Sequence, residues 1–473
     1  MTIKIAIIGA GSLGFTRKLI HDIVAVPELA DTVFHLMDIS QRNLEMITQL
    51  VEQDIAANQL PTTIKATLNQ REAITNCNYV ISVVRPGGLE AFQTDIEIPL
   101  KYGIDQCVGD TICAGGIMYA QRTIPVMLNI CRDIREVAKP DCIFFNYTNP
   151  MAMNVWACNK YSNVPTIGLC HGVQHSHYLI AKAIQHWARS TGLIDSEETV
   201  STDDVDIVCA GINHQTWYIR IQWREMDMVP QLLEILEAHP RYAQQEKVRI
   251  DVLRRFGYFS TESNGHLSEY LPWYRKRPSE IAQWIDLSEW IHGETGGYLR
   301  HCTEGRNWFE SEFPQWLAEE PPVIAYDKRS EEHGSYIIES LETGRLYRGH
   351  FNVVNRGHIT NLPAGCIVEI PGYVDKNGLN MPVVGDLPLA CAATCASSVR
   401  VQEMAVEAAV HGDVTLLKQA MLHDPLVGTV CNPEEVWHLA DEMLVAQAAW
   451  LPQYAEAIPA AQARLERESD SLD

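Results

Sequence analysis

Residues 4–14, KIAIIGAGSLG, decide the fold of this chain because they place three glycines between an apolar run and a helical pattern. The run KIAII is typical of a buried strand, and residues 15–24, FTRKLIHDIV, repeat their apolar positions at helical spacing. Between them, Gly9 permits a tight turn, Gly11 lets the backbone approach a pyrophosphate, and Gly14 allows the helix to pack closely on the strand. The stretch predicts a dinucleotide-binding turn with the diphosphate at the positive end of a helix.

The acidic residue that closes the second apolar run supports this interpretation. Asp38 ends the sequence LMD, where its carboxylate can accept from the ribose hydroxyls of NAD and repel a 2′-phosphate. We therefore predict NAD binding by the three glycines and Asp38, with the loop residues Ser12 and Phe15. Gly87, in VVRPGG, extends this predicted site to the place where cofactor and substrate meet. The alternatives are a glycine-rich turn with a capping aspartate and, at Gly87, a plain tight turn.

The apolar runs of the first part of the chain predict a doubly wound α/β domain. Near-continuous apolar strands separated by helical segments indicate a parallel sheet that is buried on both faces. The predicted strands are residues 3–8, 33–37, 79–84, 142–145 and 165–170. We predict a Rossmann-like domain over residues 1–195 and a mixed α+β domain over residues 196–473, with helices after Pro388.

Composition and charge exclude several classes of protein. The 473 residues carry 37 Lys and Arg against 60 Asp and Glu, and 46% of them are hydrophobic. This composition predicts a folded globular protein, and the formal charge of −23 argues against a nucleic-acid partner, which needs a basic stripe. No run of about 18 apolar residues occurs, so we expect no membrane span and a cytoplasmic location. The 13 scattered cysteines predict reduced thiols.

A thiol and an imidazole follow two of the predicted strands. Cys170 and His171 lie at the end of the fifth apolar run, while Asn213 ends the strand-like sequence DIVCAGIN and His214 follows it. Side chains at strand ends emerge into a cleft, where a thiolate and an imidazole can hold a divalent metal and leave positions for substrate oxygens. Taken alone, a cysteine and a histidine this far apart in sequence favour buried structural roles.

Eight motifs in this order resemble glycoside hydrolase family 4, and together they cover nearly the whole chain. They are GAGSLGF (9–15), LMDI (36–39), DTICAGGIMYAQRTIP (110–125), NYTNPMAMN (146–154), LCHGVQ (169–174), AGINH (210–214), TESNGHLSEYLPW (261–273) and NLPAGCIVEIP (361–371). The resemblance is strongest to the α-galactosidase and α-glucosidase branch of that family. It implies a Rossmann domain similar to that of the lactate and malate dehydrogenases.

The resemblance also implies a reaction that differs from ordinary glycoside hydrolysis by two carboxylates. The family requires NAD and a divalent cation, usually Mn. NAD takes a hydride from C3 of the sugar, the C2 proton then becomes acidic, and the aglycone leaves by elimination. Water adds to the unsaturated ketone and the hydride returns to C3, so no net oxidation occurs. The metal stabilises the enediolate as a Lewis acid.

The family pattern assigns roles to four residues that the motifs contain. It implies that Cys170 and His214 are the metal ligands. It implies that Asn149 and Asn213 contact sugar hydroxyls, with Asn149 near the metal.

The acid and the base follow less directly from the resemblance. His171 stands where the family protonates the leaving group, and Asp110 is a competing acid; a metal-orienting histidine and a capping aspartate are the alternatives. Other members place a tyrosine or an aspartate as the C2 base in the segment that contains TESNGH. Here the position that aligns with the aspartate is Asn264, which cannot accept the proton. We therefore predict His266 and Glu262 as candidate bases, ahead of the nearby Tyr258; a polar loop with a satisfied histidine is the alternative.

The resulting functional hypothesis is an α-galactosidase that cleaves a small-molecule glycoside, either an oligosaccharide or an aryl glycoside. An α-glucosidase or an α-uronidase of the same family is the alternative substrate class. A dehydrogenase with net turnover of NAD and a non-enzymatic nicotinamide sensor are the alternatives from other classes. We expect a homodimer or a homotetramer.

Overall fold

The computed structural model describes residues 2–306 and 308–470 and contains one mixed sheet of thirteen strands. The strands are β1 (Lys4–Ile8), β2 (Val33–Met37), β3 (Thr63–Thr67), β4 (Tyr79–Ser82), β5 (Ile143–Asn146), β6 (Thr166–Gly168), β7 (Val205–Ile212), β8 (Gln215–Trp223), β9 (Met226–Asp227), β10 (Phe259–Ser260), β11 (Tyr347–Val354), β12 (Ile367–Asp375) and β13 (Gly378–Asn380). Eleven of them lie side by side in the order β10-β8-β7-β12-β11-β6-β5-β4-β1-β2-β3, while β9 pairs with β8 and β13 with β12.

The helices of the described residues surround this sheet. They are α1 (Leu13–Val24), α2 (Gln41–Ala57), α3 (Gln70–Ile74), α4 (Gly88–Lys101), α5 (Cys113–Val137), α6 (Met151–Ser162), α7 (Gly172–Ser190), α8 (Leu232–Ala238), α9 (Tyr242–Gln245), α10 (Lys247–Phe256), α11 (Asn264–Tyr270), α12 (Pro278–Trp284), α13 (Gly297–Gly305), α14 (Trp308–Ala318), α15 (His333–Thr343), α16 (Leu389–His411), α17 (Val414–His423), α18 (Val427–Val430), α19 (Pro433–Ala446) and α20 (Ile458–Asp470).

The six strands β3-β2-β1-β4-β5-β6 are parallel and form the doubly wound arrangement that the sequence predicts. The strand β1 shows why its sequence is apolar throughout. Ile5 and Ile7 pack into the core cluster that contains residues of α1, whereas Ala6 and Ile8 pack into the cluster on the opposite face. Because both faces are buried, the strand has no polar alternation. The predicted α/β fold class is confirmed.

The strand β3 is absent from the sequence prediction. Its residues, TIKAT, are exposed or only partly buried, and it pairs with β2 at the outer edge of the sheet. An edge strand buries little apolar surface, so its composition does not show the apolar run by which the other five parallel strands were predicted.

The sheet continues past residue 195 into antiparallel strands. Gly168 of β6 pairs with Asn352 of β11, and β11 pairs along its whole length with β12. The strands β7 and β8 form a hairpin whose connecting residues are Asn213 and His214. The division of the chain at residue 195 stays a prediction, since this sheet crosses it.

The helices predicted after Pro388 are present and pack against the first half of the chain. The helix α16 contacts α5 and α6, and α19 contacts α4. Val399 and Val406 of α16 share one core cluster with Ile117 and Ile124 of α5. All thirteen cysteines are free thiols, as predicted. Within the described residues, no helix has both the length and the apolar character needed to cross a membrane.

Candidate active site

The glycine turn after β1 has the geometry of a dinucleotide cradle. Gly9 has a φ of +88°, and a Cβ atom at this position would clash with the carbonyl group of Val83. A Cβ at Gly11 would lie 2.7 Å from a carboxylate oxygen of Asp38. Helix α1 begins at Leu13 without a side-chain cap from Ser12, so its first N–H groups are available to a phosphate.

The role predicted for Gly14 is wrong. We expected this glycine to allow close packing of helix on strand, but it is exposed and a Cβ there would meet no atom within 4 Å. The next residue, Phe15, places its ring 4.7 Å from the ring of Tyr147 in an edge-on contact. The turn is therefore constrained at Gly9 and Gly11 and not at Gly14.

Asp38 is hydrogen-bonded to the glycine turn. Its two carboxylate oxygens accept hydrogen bonds from the backbone N–H groups of Gly11 and Ser40, each at 2.8 Å. The following residue, Ile39, is 92% exposed, which is unusual for an isoleucine at the end of a parallel strand. Gly87 has a φ of +82° at the start of α4, so its turn requires glycine.

A thiol, an imidazole and a carboxylate converge at the ends of three elements. Cys170 follows β6, His214 lies in the turn of the β7–β8 hairpin, and Glu262 follows β10. One ligand atom from each lies within 4.8 Å of the other two. Glu262 Oε1 is 4.0 Å from Cys170 Sγ and 3.8 Å from His214 Nε2. These three groups can hold a divalent ion, whereas the sequence predicted only the cysteine and the histidine as ligands.

Hydrogen bonds to the far side of His214 orient its ring. The hydroxyl of Thr111 donates to Asp110 Oδ1 at 2.9 Å and lies 2.6 Å from His214 Nδ1. Since the single hydroxyl proton goes to Asp110, the Thr111 oxygen accepts from the Nδ1–H of His214. With Nδ1 directed to Thr111, Nε2 lies on the side of Glu262 and Cys170 and would present its lone pair to a cation bound there, as a metal-ligating histidine does.

Burial controls the charge of the two other groups. Burial raises the pKa of the Cys170 thiol well above its ordinary value, and a bound cation would favour the thiolate. Burial also raises the pKa of Glu262, but His214 and His266 outweigh it and hold that pKa below its ordinary value. The carboxylate packs against Gly172, where any Cβ would clash with Glu262 Oε1. Glycine is therefore required directly after His171.

A second group of possible ligands shares the same histidine. Asp110, His214 and His266 offer ligand atoms that all lie within 4.8 Å of one another. His266 Nδ1 lies 2.7 Å from the hydroxyl of Ser263 and 3.5 Å from Glu262. The structure thus brings all four of these predicted residues, Asp110, His214, His266 and Glu262, into one cluster.

The two predicted asparagines differ in their hydrogen bonding. Asn149 donates from Nδ2 to Asp110 Oδ2 at 2.7 Å. Both polar atoms of the Asn213 amide are buried and have no hydrogen-bond partner among the described residues. A buried amide without a partner is costly, so Asn213 is available to a bound group.

His171 stands beside the cluster and has its own acidic partner. Its Nε2 atom lies 2.7 Å from Glu332 Oε2, and its side chain is 49% exposed. Its ring stacks on that of Tyr147, at 6.1 Å between centroids and 24° between planes. Burial raises the pKa of Glu332, but the hydrogen bond to His171 outweighs it and holds that pKa below its ordinary value.

Three residues of this site were not found from the sequence. Thr111 lies within a quoted motif, but no pattern distinguishes a threonine that orients a histidine. Glu332 lies 161 residues from His171 and belongs to no motif. Tyr270 is buried, its hydroxyl has no partner in the described chain, and its ring is nearly parallel to that of His214. Asn264, which could not serve as a base, instead bonds to the backbone of Val248.

Comparisons with known proteins show what this chain is similar to. A sequence profile described as "Family 4 glycosyl hydrolase" matches residues 4–186, and one described as "Family 4 glycosyl hydrolase C-terminal domain" matches residues 209–427. An alpha-galactosidase of Rhizobium meliloti (strain 1021) is 59% identical over 466 residues, which cover 98% of this chain and 92% of that protein.

Two solved structures extend the comparison. A protein from Bacillus subtilis, proposed to be a glucosidase, is 26% identical and superposes with a TM-score of 0.80 over 94% of this chain and 100% of that one. A 6-phospho-alpha-glucosidase from gut microorganisms, in complex with NAD and Mn²⁺, is 18% identical and has a TM-score of 0.74 over 95% of this chain and 99% of that one. The second likeness shows the fold alone.

Proposed function

Because the chain belongs to glycosyl hydrolase family 4, we propose that it is an α-galactosidase that requires NAD and a divalent cation, with Mn²⁺ as the preferred ion. The 59% identity to an alpha-galactosidase over 98% of the chain carries the choice of substrate. The cluster of Cys170, His214 and Glu262 and the dinucleotide turn after β1 belong to the same sheet, and together they support the choice of cofactors.

The residues of the glycine turn fit NAD. When bound, NAD supplies reversible hydride transfer at a sugar carbon. Gly9 and Gly11 leave the space that a Cβ would fill, and the uncapped start of α1 offers N–H groups to the pyrophosphate. Asp38 receives the ribose hydroxyls, and the exposed side chain of Ile39 offers an apolar surface to the adenine ring.

The residues of the cluster fit a divalent ion. When bound, such an ion supplies Lewis-acid polarisation of the sugar oxygens. Cys170, His214 and Glu262 would hold it, and the buried amide of Asn213 is left to bind a sugar hydroxyl. Asn149, held by Asp110, orients a second hydroxyl.

The remaining predicted side chains are assigned to proton transfer or to positioning. His171 is exposed to the cleft and keeps its imidazole in place through Glu332, so we assign it the protonation of the leaving group. Asp110 is occupied by Asn149 and Thr111 and becomes a positioning group. We assign the C2 proton to His266, because we assign Glu262, the other candidate, to the metal on the strength of its distances to Cys170 and His214.

Replacing Asp38 with alanine is expected to weaken NAD binding. The substitution removes charge-assisted hydrogen bonds worth about 1.5 to 3 kcal/mol, which corresponds to a roughly ten- to hundredfold rise in the Kd for NAD. Fluorescence titration with NAD and NADP measures both affinities, and discrimination against NADP should fall as well. Asp31→Ala, at an exposed aspartate that bonds to Thr2, is the control. An unchanged Kd in Asp38→Ala would place the ribose elsewhere.

The proposed activity is tested with nitrophenyl α-galactoside, α-glucoside, α-glucuronide and α-galacturonide in the presence of NAD and Mn²⁺. Aglycone release and NADH absorbance are followed together. The proposal expects release from the galactoside without accumulation of NADH, because the hydride returns to the sugar in every turnover. Accumulation of NADH in proportion to product would indicate a dehydrogenase instead.

A further inference from the structure

Arg85 carries a partly buried positive charge for which the described chain supplies no hydrogen-bond acceptor. Its side chain makes no hydrogen bond or ion pair within residues 2–306 or 308–470. A guanidinium has five N–H donors, and removing them from water without an acceptor is costly. Because the side chain is only partly buried, these donors are open to solvent or to a bound group.

Aromatic rings surround this guanidinium. Its central carbon lies 4.5 Å from the ring centroid of Phe92, 5.3 Å from that of Tyr119 and 5.7 Å from that of Tyr298. Contacts with ring faces compensate part of the charge but leave the in-plane N–H donors free. The rings therefore fix the position of the guanidinium without satisfying it.

A second arginine on the same ring shows what a structural arginine looks like in this protein. Arg122 also lies 5.3 Å from the ring centroid of Tyr119. Its guanidinium donates two hydrogen bonds to the buried carboxylate of Asp95, at 2.9 and 2.6 Å, and a third to Gln447. Arg122 is therefore fully partnered inside the fold, and Arg85 is not.

The position of Arg85 indicates what its donors face. It lies three residues after the end of β4, the central strand beside β1, at the carboxyl edge of the parallel sheet. Ligands of doubly wound folds bind at this edge. The Asp110 carboxylate, which holds Asn149, acts electrostatically on Arg85. Asn149 lies three residues after β5, the strand that pairs in parallel with β4, so Arg85 and this sugar-orienting residue lie at the same edge of the sheet.

We propose that Arg85 is a specificity-determining residue that binds the glycone by donating hydrogen bonds to one of its oxygen acceptors. The acceptor is a hydroxyl of a neutral galactoside or the carboxylate of a galacturonide, since both present lone pairs to a guanidinium. This inference rests on the proposed function, because it requires a sugar in the cleft.

The test compares Arg85→Met and Arg85→Lys with Arg122→Met, all as full-length protein with NAD and Mn²⁺. Methionine keeps the length and the apolar packing on the rings but removes the charge and the donors. The readouts are KM and kcat for nitrophenyl α-galactoside and α-galacturonide, the Kd for NAD, the Kd for free galactose and galacturonate, and Tm.

The inference expects Arg85→Met to raise KM and the sugar Kd roughly ten- to hundredfold, with the Kd for NAD and Tm near those of the wild type. Arg85→Lys should recover part of this loss, since an ammonium still donates but not in a fork. The substrate whose KM rises more identifies the acceptor. Arg122→Met should instead lower Tm, because it leaves Asp95 buried and unpaired.

Three results would overturn the inference. In Arg85→Met, a rise in the Kd for NAD alone would assign Arg85 to the cofactor. A fall in Tm with an unchanged KM would give Arg85 a structural role. Unchanged values of KM, Kd and Tm would show that Arg85 binds neither the sugar nor the cofactor. A wild-type protein that cleaves neither substrate contradicts the proposed function instead. The sugar Kd of the wild type and of Arg85→Met then still tests the inference by itself.

Discussion

Cys170→Ser is expected to lower kcat/KM for an α-galactoside by at least about a hundredfold, because removal of a mere hydrogen-bond partner of a metal ligand already costs about ten- to a hundredfold. The thiol lies 4.0 Å from Glu262 in the proposed metal cluster, and an alcohol is a poor ligand in place of a thiolate. Folding and NAD affinity should stay close to the wild type, since the substitution changes one atom of a side chain that is not part of the glycine turn.

Direct measurement of metal binding separates this effect from a loss of stability. Binding of Mn²⁺, followed by electron paramagnetic resonance of the free ion, should weaken in Cys170→Ser. Cys142→Ser, which changes another buried thiol outside the cluster, should bind Mn²⁺ and turn over normally. A chelator should inactivate the wild type, and added Mn²⁺ should restore it. Full activity and normal metal affinity of Cys170→Ser would remove Cys170 from the site.

Hydrolysis of an α-galactoside in heavy water is expected to yield galactose that carries deuterium at C2. The proposed reaction removes the C2 proton before the glycosidic bond breaks, and the proton acceptor exchanges with solvent before a proton returns. Direct displacement at C1 leaves C2 untouched. Mass spectrometry and proton NMR of the released sugar distinguish the two outcomes.

The same experiment has an internal comparison in the chain. His266→Ala should lower both the rate of hydrolysis and the rate of C2 exchange, because we assign the C2 proton to His266. His175→Ala, at a histidine one turn into α7 and outside the cluster, should change neither rate. Galactose with a fully protonated C2, formed without any need for NAD or metal, would contradict the redox mechanism.

The fold could be predicted where local sequence and burial agree. Five of the six parallel strands appear as apolar runs because a strand that is covered on both faces has no polar alternation. The strand β3 was not predicted because its residues, at the edge of the sheet, are exposed or only partly buried and need not be apolar. The packing of α16 on α5 and α6 brings together segments that lie more than two hundred residues apart, and no local pattern encodes that contact.

The site was predictable only in part, for a related reason. Cys170, His214 and Glu262 each lie in a motif, but their convergence depends on the segments after β6 and β10 and the β7–β8 turn coming together in space. Gly14 shows the opposite error, since a general rule for the third glycine does not hold where nothing packs against it.

By itself, the sequence determined the class of the fold, the dinucleotide turn and the residue types of the cluster, because these depend on short-range spacing and on burial of each element. Only the tertiary structure decided which of these side chains contact one another through hydrogen bonds or ion pairs. The bond between His171 and Glu332 spans 161 residues, that between Thr111 and His214 spans 103, and the contact between Cys170 and Glu262 spans 92. Hydrogen bonds and metal ligation act over about 3 to 4 Å in space, so their partners are set by how the strands assemble and not by distance along the chain.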